Sequence, residues 1–489
     1  MNRWIGLVAT ACCAFALSAC ATHAPSSGLV ISNVTVVSPE RAQPLKHAYV
    51  RIIDGRIAEL STQRLRGASQ IDGTNRYLIP GLIDSHVHLA VPPGFPSAMT
   101  SQQAAAHPEI VAAALDQDPR SYLYFGFTTV VDLVGSAERT AQWNARELRP
   151  DAYFCGAAAI IKGEIRFALF PYFSYGLPEE KRIPPVVEPA KHTPEAVVAR
   201  MAADGAICLK TIYERGMTPT LEEARALVTA AHARDMPVFI HANRQRGQAF
   251  AVAAGVDAIV HGMWRDPDEA AALDDEARQI LAAIVRDNIG YQPTTQVIVG
   301  LLDMTSPDYL ARPRLADAYP AALIDLYASN EGASGTPARL RNAGVDMQAM
   351  LRGTIGRASE VTRILAEADA HLLFGSDTPS DTIYTNPPGL NGRLEMDNWI
   401  AAGVTETKLF HALTIDNARM LRLDNRIGTV EPGKAANLLL LRADPLRSVE
   451  AYDTIETVFQ HGRPIPRAAL SARKATDVPV KTPSADESK

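Results

Sequence analysis

The sequence has no excess of basic charge: 48 Lys and Arg stand against 54 Asp and Glu, leaving a net charge of -6. A nucleic-acid-binding surface needs a basic excess gathered on one face, so that class is set aside. A long apolar run is also missing. The apolar stretch in "MNRWIGLVATACCAFALSAC" follows one basic residue and is too short to span a bilayer, the pattern of a secretion signal. Cysteine is scarce, which excludes a small disulfide scaffold: of five, Cys12, Cys13 and Cys20 fall in the first twenty residues. Cys155 and Cys208 remain, both in apolar runs, and are expected as buried free thiols rather than as a pair. What is present is ordinary for a folded protein, with 47% apolar and 21% charged residues. A chain of 489 residues has room for one large domain and a smaller one.

The end of the signal, Leu17-Ser18-Ala19-Cys20, resembles the lipobox of bacterial lipoproteins. That resemblance implies lipidation of Cys20 and anchoring through acyl chains, each buried methylene contributing roughly 0.8 kcal/mol. Ala21 in the next position implies the outer membrane and a periplasmic location. A plain cleaved signal ending near "SACA" is the alternative.

Residues 1–20 are therefore assigned to the signal and 21–28 to a linker. Residues 29–79 alternate in the manner of strands, and Asp54-Gly55 is a two-residue hairpin signal. From residue 80 to 423 short apolar runs alternate with alanine-rich helical stretches, as in βα units around a parallel sheet. The expected strands lie at 78–89, 127–133, 152–158, 206–213, 237–242, 258–262, 289–295 and 371–379. Between the fourth and fifth, Thr218 before Pro219 and the acidic pair Glu222 and Glu223 mark a helix N-terminus. Two connections, 159–205 and 296–370, are too long for single helices; the first is rich in aromatics and proline and is expected either as a lid or pocket wall or as a surface excursion or oligomer contact. Residues 424–468 return to strand alternation and 469–489 carry no periodicity, which predicts a disordered tail. The fold class is α/β: a (β/α)8 TIM barrel with a discontinuous small β-sandwich domain formed by both chain ends.

Chemistry-bearing residues gather at the ends of these strands. In "GLIDSHVHL", period-two geometry sends His86 and His88 to one side, their Cα atoms roughly 6.6 Å apart, close enough for two imidazoles to share an ion. His241 ends "PVFIHA", His261 ends "AIVHG", and Asp377 ends "LLFGSDTP". All stand at the carboxyl ends, where barrel enzymes build their sites. Lys210 lies inside the apolar run "AICLKTIY", where an ammonium is costly. Either burial frees its amine to form a carbamate with carbon dioxide, or it pairs with Asp377 or Glu214.

Together with "GFTTVVDL" and the tail "GTVEPGKAANLLLL", these motifs resemble the amidohydrolase superfamily from about Leu29 to Pro466, nearest its imidazolonepropionase-like and Xaa-Pro dipeptidase-related branch. The resemblance implies two divalent ions, zinc first, with manganese or cobalt possible. His86, His88 and Asp377 would hold one, His241 and His261 the other, and a carboxylated Lys210 would bridge them. It further implies hydrolysis of a carbon–nitrogen bond in a small amide, a dipeptide or N-acyl amino acid, by a metal-activated water, with Asp377 as base and then acid. Tyr213 is a candidate donor to the oxyanion. Arg244 and Arg246 are candidate grips for a substrate carboxylate. A cyclic amide of the imidazolone or hydantoin type is the alternative substrate, and a non-catalytic binding lipoprotein the alternative role. Arg244 stands where deaminases of the superfamily carry glutamate, which counts against deamination. Asn437 replaces a usual aspartate away from the metals. A homo-oligomer is expected on general grounds only.

Overall fold

The computed structural model describes residues 28–89, 105–161, 164–167, 188–214, 219–264, 272–306, 308–334, 336–379 and 384–473. The signal, Cys20, most of the proline-rich connection after 159 and the end of the tail lie outside these residues. No helix among the described residues is long and apolar enough to cross a membrane.

The two chain ends share one sheet. Its strands are β1 (Leu29–Val36), β2 (Leu45–Ile53), β3 (Arg56–Ser61), β4 (Ser69–Asp72) and β5 (Tyr77–Pro80) from the N-terminal side. From the C-terminal side come β14 (Leu438–Leu441), β15 (Ile455–Gln460) and β16 (Arg463–Pro466). The order is β16-β15-β14-β5-β1-β2-β3, with β4 also on β1. This corrects the expected sandwich: a single eight-stranded sheet results, because β14 pairs antiparallel with β5 and joins the halves edge to edge. Asp54 and Gly55 both take positive φ, 47° and 74°, as a tight hairpin between β2 and β3 requires. Alternation places Ala48, Val50 and Ile52 in one core with Leu78, Leu438 and Leu440. Leu439 and Leu441 face the larger core, which is why β14 reads as an unbroken leucine run.

The second sheet is parallel along β6 (Leu82–Val87), β7 (Phe127–Asp132), β8 (Asp151–Ile161), β10 (Cys208–Ile212), β11 (Val238–His241), β12 (Ala258–Val260) and β13 (Gly290–Gln292). A short β9 (Glu164–Phe167) folds back antiparallel on β8. The eighth expected strand, 371–379, is not regular. It makes isolated bridges, Leu372 to Tyr291 on β13 and Thr378 to Val87 on β6, and so touches both edges of a TIM-like barrel. Ile83, Val131, Phe239, Val260 and Leu373 share an interior core, into which Leu421, Leu423 and Ile427 pack. The helix after β10 spans Leu221–His232 and begins later than expected: its N-cap is Thr220, closed by a capping box with Glu223.

Two further expectations are corrected. The ordered chain runs past residue 469: Leu470 is buried, and Ser471 and Arg473 bond the carboxylate of Asp317 at 2.8 and 2.9 Å. Cys155 and Cys208 form a disulfide, because β8 and β10 pair in a register that sets the two residues directly opposite, Cα to Cα 4.4 Å, inside the barrel. Closing a loop of this length, with a sequence separation of 53, stabilises by roughly 4 kcal/mol through the unfolded chain. Peptide mapping without reductant is expected to recover residues 155 and 208 cross-linked, and the double Cys→Ser variant to lose about 2–4 kcal/mol in denaturant unfolding. Alkylated Cys155 or Cys208 in the unreduced chain would contradict the bond.

Candidate metal centre

β6 buries Asp84 and His86 and ends just before His88. Asp377 faces them from the irregular eighth segment. Its Oδ1 lies 3.1 Å from His86 Nε2 and 3.0 Å from His88 Nε2, and its Oδ2 lies 3.8 Å from His261 Nδ1. The ligand-type atoms of His86, His261 and Asp377 all fall within 4.8 Å of one another. The His241 and His261 rings are 4.4 Å apart between centroids, and those of His86 and His261 5.3 Å. Gly375 permits this approach, since a Cβ there would come within 2.6 Å of His86 Cβ.

Second contacts set each imidazole. His241 Nε2 lies 3.2 Å from Glu214 Oε2, leaving Nδ1 for a ligand. His261 Nδ1 lies 2.9 Å from Thr294 Oγ1, leaving Nε2. His88 Nδ1 is 3.6 Å from Asp132 Oδ1, and that carboxylate also accepts from the backbone of Leu89 and Val134. Asp84 accepts from the Ser376 N–H and hydroxyl and from the His86 N–H, which ties the Asp377 turn to β6. His261, Thr294 and Asp377 all hold positive φ, 79°, 46° and 55°, at three strand ends. Left-handed backbone in non-glycine residues costs energy and persists only where surrounding contacts hold it.

Electrostatics favours a cation here. Burial lowers His86 to about 3 and depresses His241 and His261, so all three are neutral at pH 7. His88, despite burial, is raised to about 9 by the neighbouring carboxylates of Asp132 and Asp377. Burial alone would raise Asp377, but His86, His88 and His261 together hold it well below the carboxylate range. Lys210 is only 4% exposed, and burial pushes its amine down to about 7 against the pull of Asp377. Among the described residues it makes no ion pair with Asp377 or Glu214. The residues fit a divalent ion on one further observation: both ring nitrogens of His86 are buried without a hydrogen bond, Nε2 lying near Asp377 but off the bonding direction.

The sequence candidates thus divide. His86, His88, His261 and Asp377 converge, with His241 beside His261 and Lys210 in register with the strand that ends in His241. Tyr213 packs its ring 4.7 Å from that of Phe250 and donates its N–H to the His241 carbonyl. Arg244 is the half-buried N-cap of the helix Gln245–Ala254, and Arg246 is exposed in its first turn. Asp84, Asp132 and Thr294 are not among the sequence candidates, and Glu214, expected only as an alternative partner of Lys210, meets His241 instead. The sole local signal was an aspartate closing each of two apolar runs, "GLID" and "TTVVD". Asn437 bonds Asp151 at the start of β8 and the His461 N–H, so it fastens the two-ended sheet to the barrel.

A parallel barrel-like sheet with neutral imidazoles and an ionised carboxylate converging at its strand ends is the plan of a barrel metallohydrolase. The chain belongs to the Amidohydrolase family, whose profile matches residues 77–465. Membership makes it a hydrolase of amide and related carbon–nitrogen bonds, in a family that generally uses divalent metals. Among solved structures it is similar to a Xaa-Pro dipeptidase with bound methionine in the active site, at 19% identity and TM-score 0.61, over 90% of this chain and 99% of that one. It is also similar to ochratoxinase from A. niger, at 18% identity and TM-score 0.64, over 90% and 96%. Phenylurea hydrolase B matches at 18% identity and TM-score 0.59, over 90% and 97%. No curated protein matches the chain.

Proposed function

We propose that the chain hydrolyses the amide bond of a small substrate, a dipeptide or N-acyl amino acid, using two divalent ions, zinc before manganese or cobalt. The observation that carries this is the Asp377 carboxylate set 3.1 and 3.0 Å from His86 and His88, with the buried Lys210 amine, pushed down to about 7 by burial, close by. The fold similarity to a Xaa-Pro dipeptidase supports the dipeptide as first choice. Bound ions would supply an activated water and a polarised carbonyl. His86, His88 and Asp377 would hold one ion, and His241 and His261 the other, with a carboxylated Lys210 between. Asp377 takes the proton of the attacking water and returns it to the amine nitrogen as the carbon–nitrogen bond breaks. Arg244 and Arg246, opening the helix after His241, would pair with a substrate carboxylate, and Tyr213 would donate to the oxygen that gains charge. Lipidation at Cys20 and a periplasmic location belong to the same reading, and the Cys155–Cys208 disulfide supports an oxidising compartment.

The test is a panel of dipeptides, N-acyl amino acids and cyclic amides, assayed with zinc or manganese and added bicarbonate. Amine release from the first two classes, abolished by chelation, is expected. Turnover confined to cyclic amides would replace the substrate assignment, and none in any class by protein holding two ions would overturn the reading.

A further inference from the structure

The turn after β13 holds a chain of buried polar contacts that the ligand set does not use. Thr294 is the N-cap of the helix Thr295–Asp303, yet its side chain caps nothing in that helix. A threonine here ordinarily accepts an N–H of the first turn. Instead its hydroxyl lies 2.9 Å from His261 Nδ1, while its backbone sits in the left-handed region at φ 46°, costly for a β-branched residue.

The uncapped N–H groups find another acceptor. Those of Thr295 and Gln296 donate to the Glu395 carboxylate at 3.0 and 2.6 Å. Glu395 is wholly buried on the helix Leu390–Ala401 and lies a hundred residues away in sequence. Trp399 Nε1 donates to it at 2.9 Å, and Asn398 both approaches it and bonds Gln296 Oε1 at 3.0 Å. The Trp399 ring in turn lies 5.6 Å from that of Phe374, three residues before Asp377. A carboxylate at a helix N-terminus meets orphan donors and the positive end of the dipole, so it does the work that the threonine hydroxyl would otherwise do.

We propose that Glu395 is a positioning residue for His261: by capping this helix from a distance it releases the Thr294 hydroxyl to hold His261 Nδ1, which keeps Nε2 available to the second ion. The assignment rests on the two-ion reading given above. Glu395 touches neither substrate nor ion; it acts through the turn and Thr294.

The test uses the full chain, stripped of metal and titrated with zinc against a chromophoric chelator, with thermal melting alongside. Thr294→Val and Glu395→Gln are each expected to weaken one of the two ions by roughly 10–100-fold, the usual effect of losing the partner of a ligating histidine. The other ion should stay within about threefold of wild type, and Thr294→Ser, which keeps the hydroxyl, should restore both. A general loosening of the fold would weaken both ions together and lower the melting point in the serine variant too, and that result overturns the assignment. So do two ions bound with wild-type affinity by Thr294→Val. If Glu395→Gln fails to fold, Glu395→Asp, which keeps the charge but shortens the reach to the Thr295 and Gln296 N–H groups, is expected to weaken the same single ion, and wild-type affinity for both ions in that variant overturns the assignment. Wild type that takes up fewer than two ions overturns the two-ion reading and this assignment with it, whereas unchanged variants of a two-ion wild type overturn only the latter.

Discussion

Asp377→Asn is expected to lower kcat/KM by about 10⁴-fold, the upper end of what removing a positioned general base costs. The upper end applies because this one carboxylate does two things. Its Oδ1 is the shared neighbour of His86 and His88, and its Oδ2 faces His261, so the amide loses the negative charge on which the ion site depends. It is also the group held ionised despite burial, the form a proton acceptor needs. Asparagine preserves volume and leaves the backbone bond from residue 377 N–H to the His86 carbonyl, so the fold should survive. Kinetics and metal content measured on the same preparation separate the two roles. Loss of turnover with both ions retained points to the proton; loss of the ion held with His86 and His88 points to ligation. A variant keeping a tenth of wild-type activity would remove Asp377 from the mechanism.

How far the site was legible follows from how each residue is held. His86, His88, His241, His261 and Asp377 announce themselves because each closes an apolar run, and apolar runs of that length end at one face of a parallel sheet. Lys210 stands out for the opposite reason, a charge in the middle of such a run. The groups that aim these side chains carry no such mark. Asp84 meets Ser376 across 292 residues and Glu395 meets Thr295 across 100, distances at which only the folded register decides who bonds whom. The same limit explains the disulfide. Cys155 and Cys208 read as two buried hydrophobes until the β8–β10 register sets them opposite each other. It also explains the two-ended sheet, since alternation within a strand says which side faces the core but not whether sheets stack or join at an edge. The eighth segment departed from a regular strand where three special turns compete with pairing: Gly375 closing on His86, Asp377 at positive φ, and Ser376 drawn to Asp84.

Lys210 offers the sharpest contrast between chemistry and packing, and Lys210→Met tests it. Burial lowers its amine from 10.5 to about 7, so the folded protein binds fewer protons than the unfolded chain between those values. The cost of burying the lysine is therefore full below pH 7 and fades as pH rises towards 10.5. If the side chain were only a buried amine, methionine of similar length would remove that cost, stabilise the metal-free fold at neutral pH and leave ion binding intact. A carbamate bridging two ions predicts otherwise: the same gain in metal-free stability, with loss of one ion and of roughly 10³-fold or more in kcat/KM, since neither a shared ligand nor the activated water survives. Wild-type protein prepared without carbon dioxide should likewise be sluggish and recover on adding bicarbonate above pH 7, where the amine is free to react. Methionine cannot recover by that route. Two ions and undiminished turnover in Lys210→Met would end the bridging role, and the buried amine in the middle of β10 would then be a packing residue beside a site that works without it.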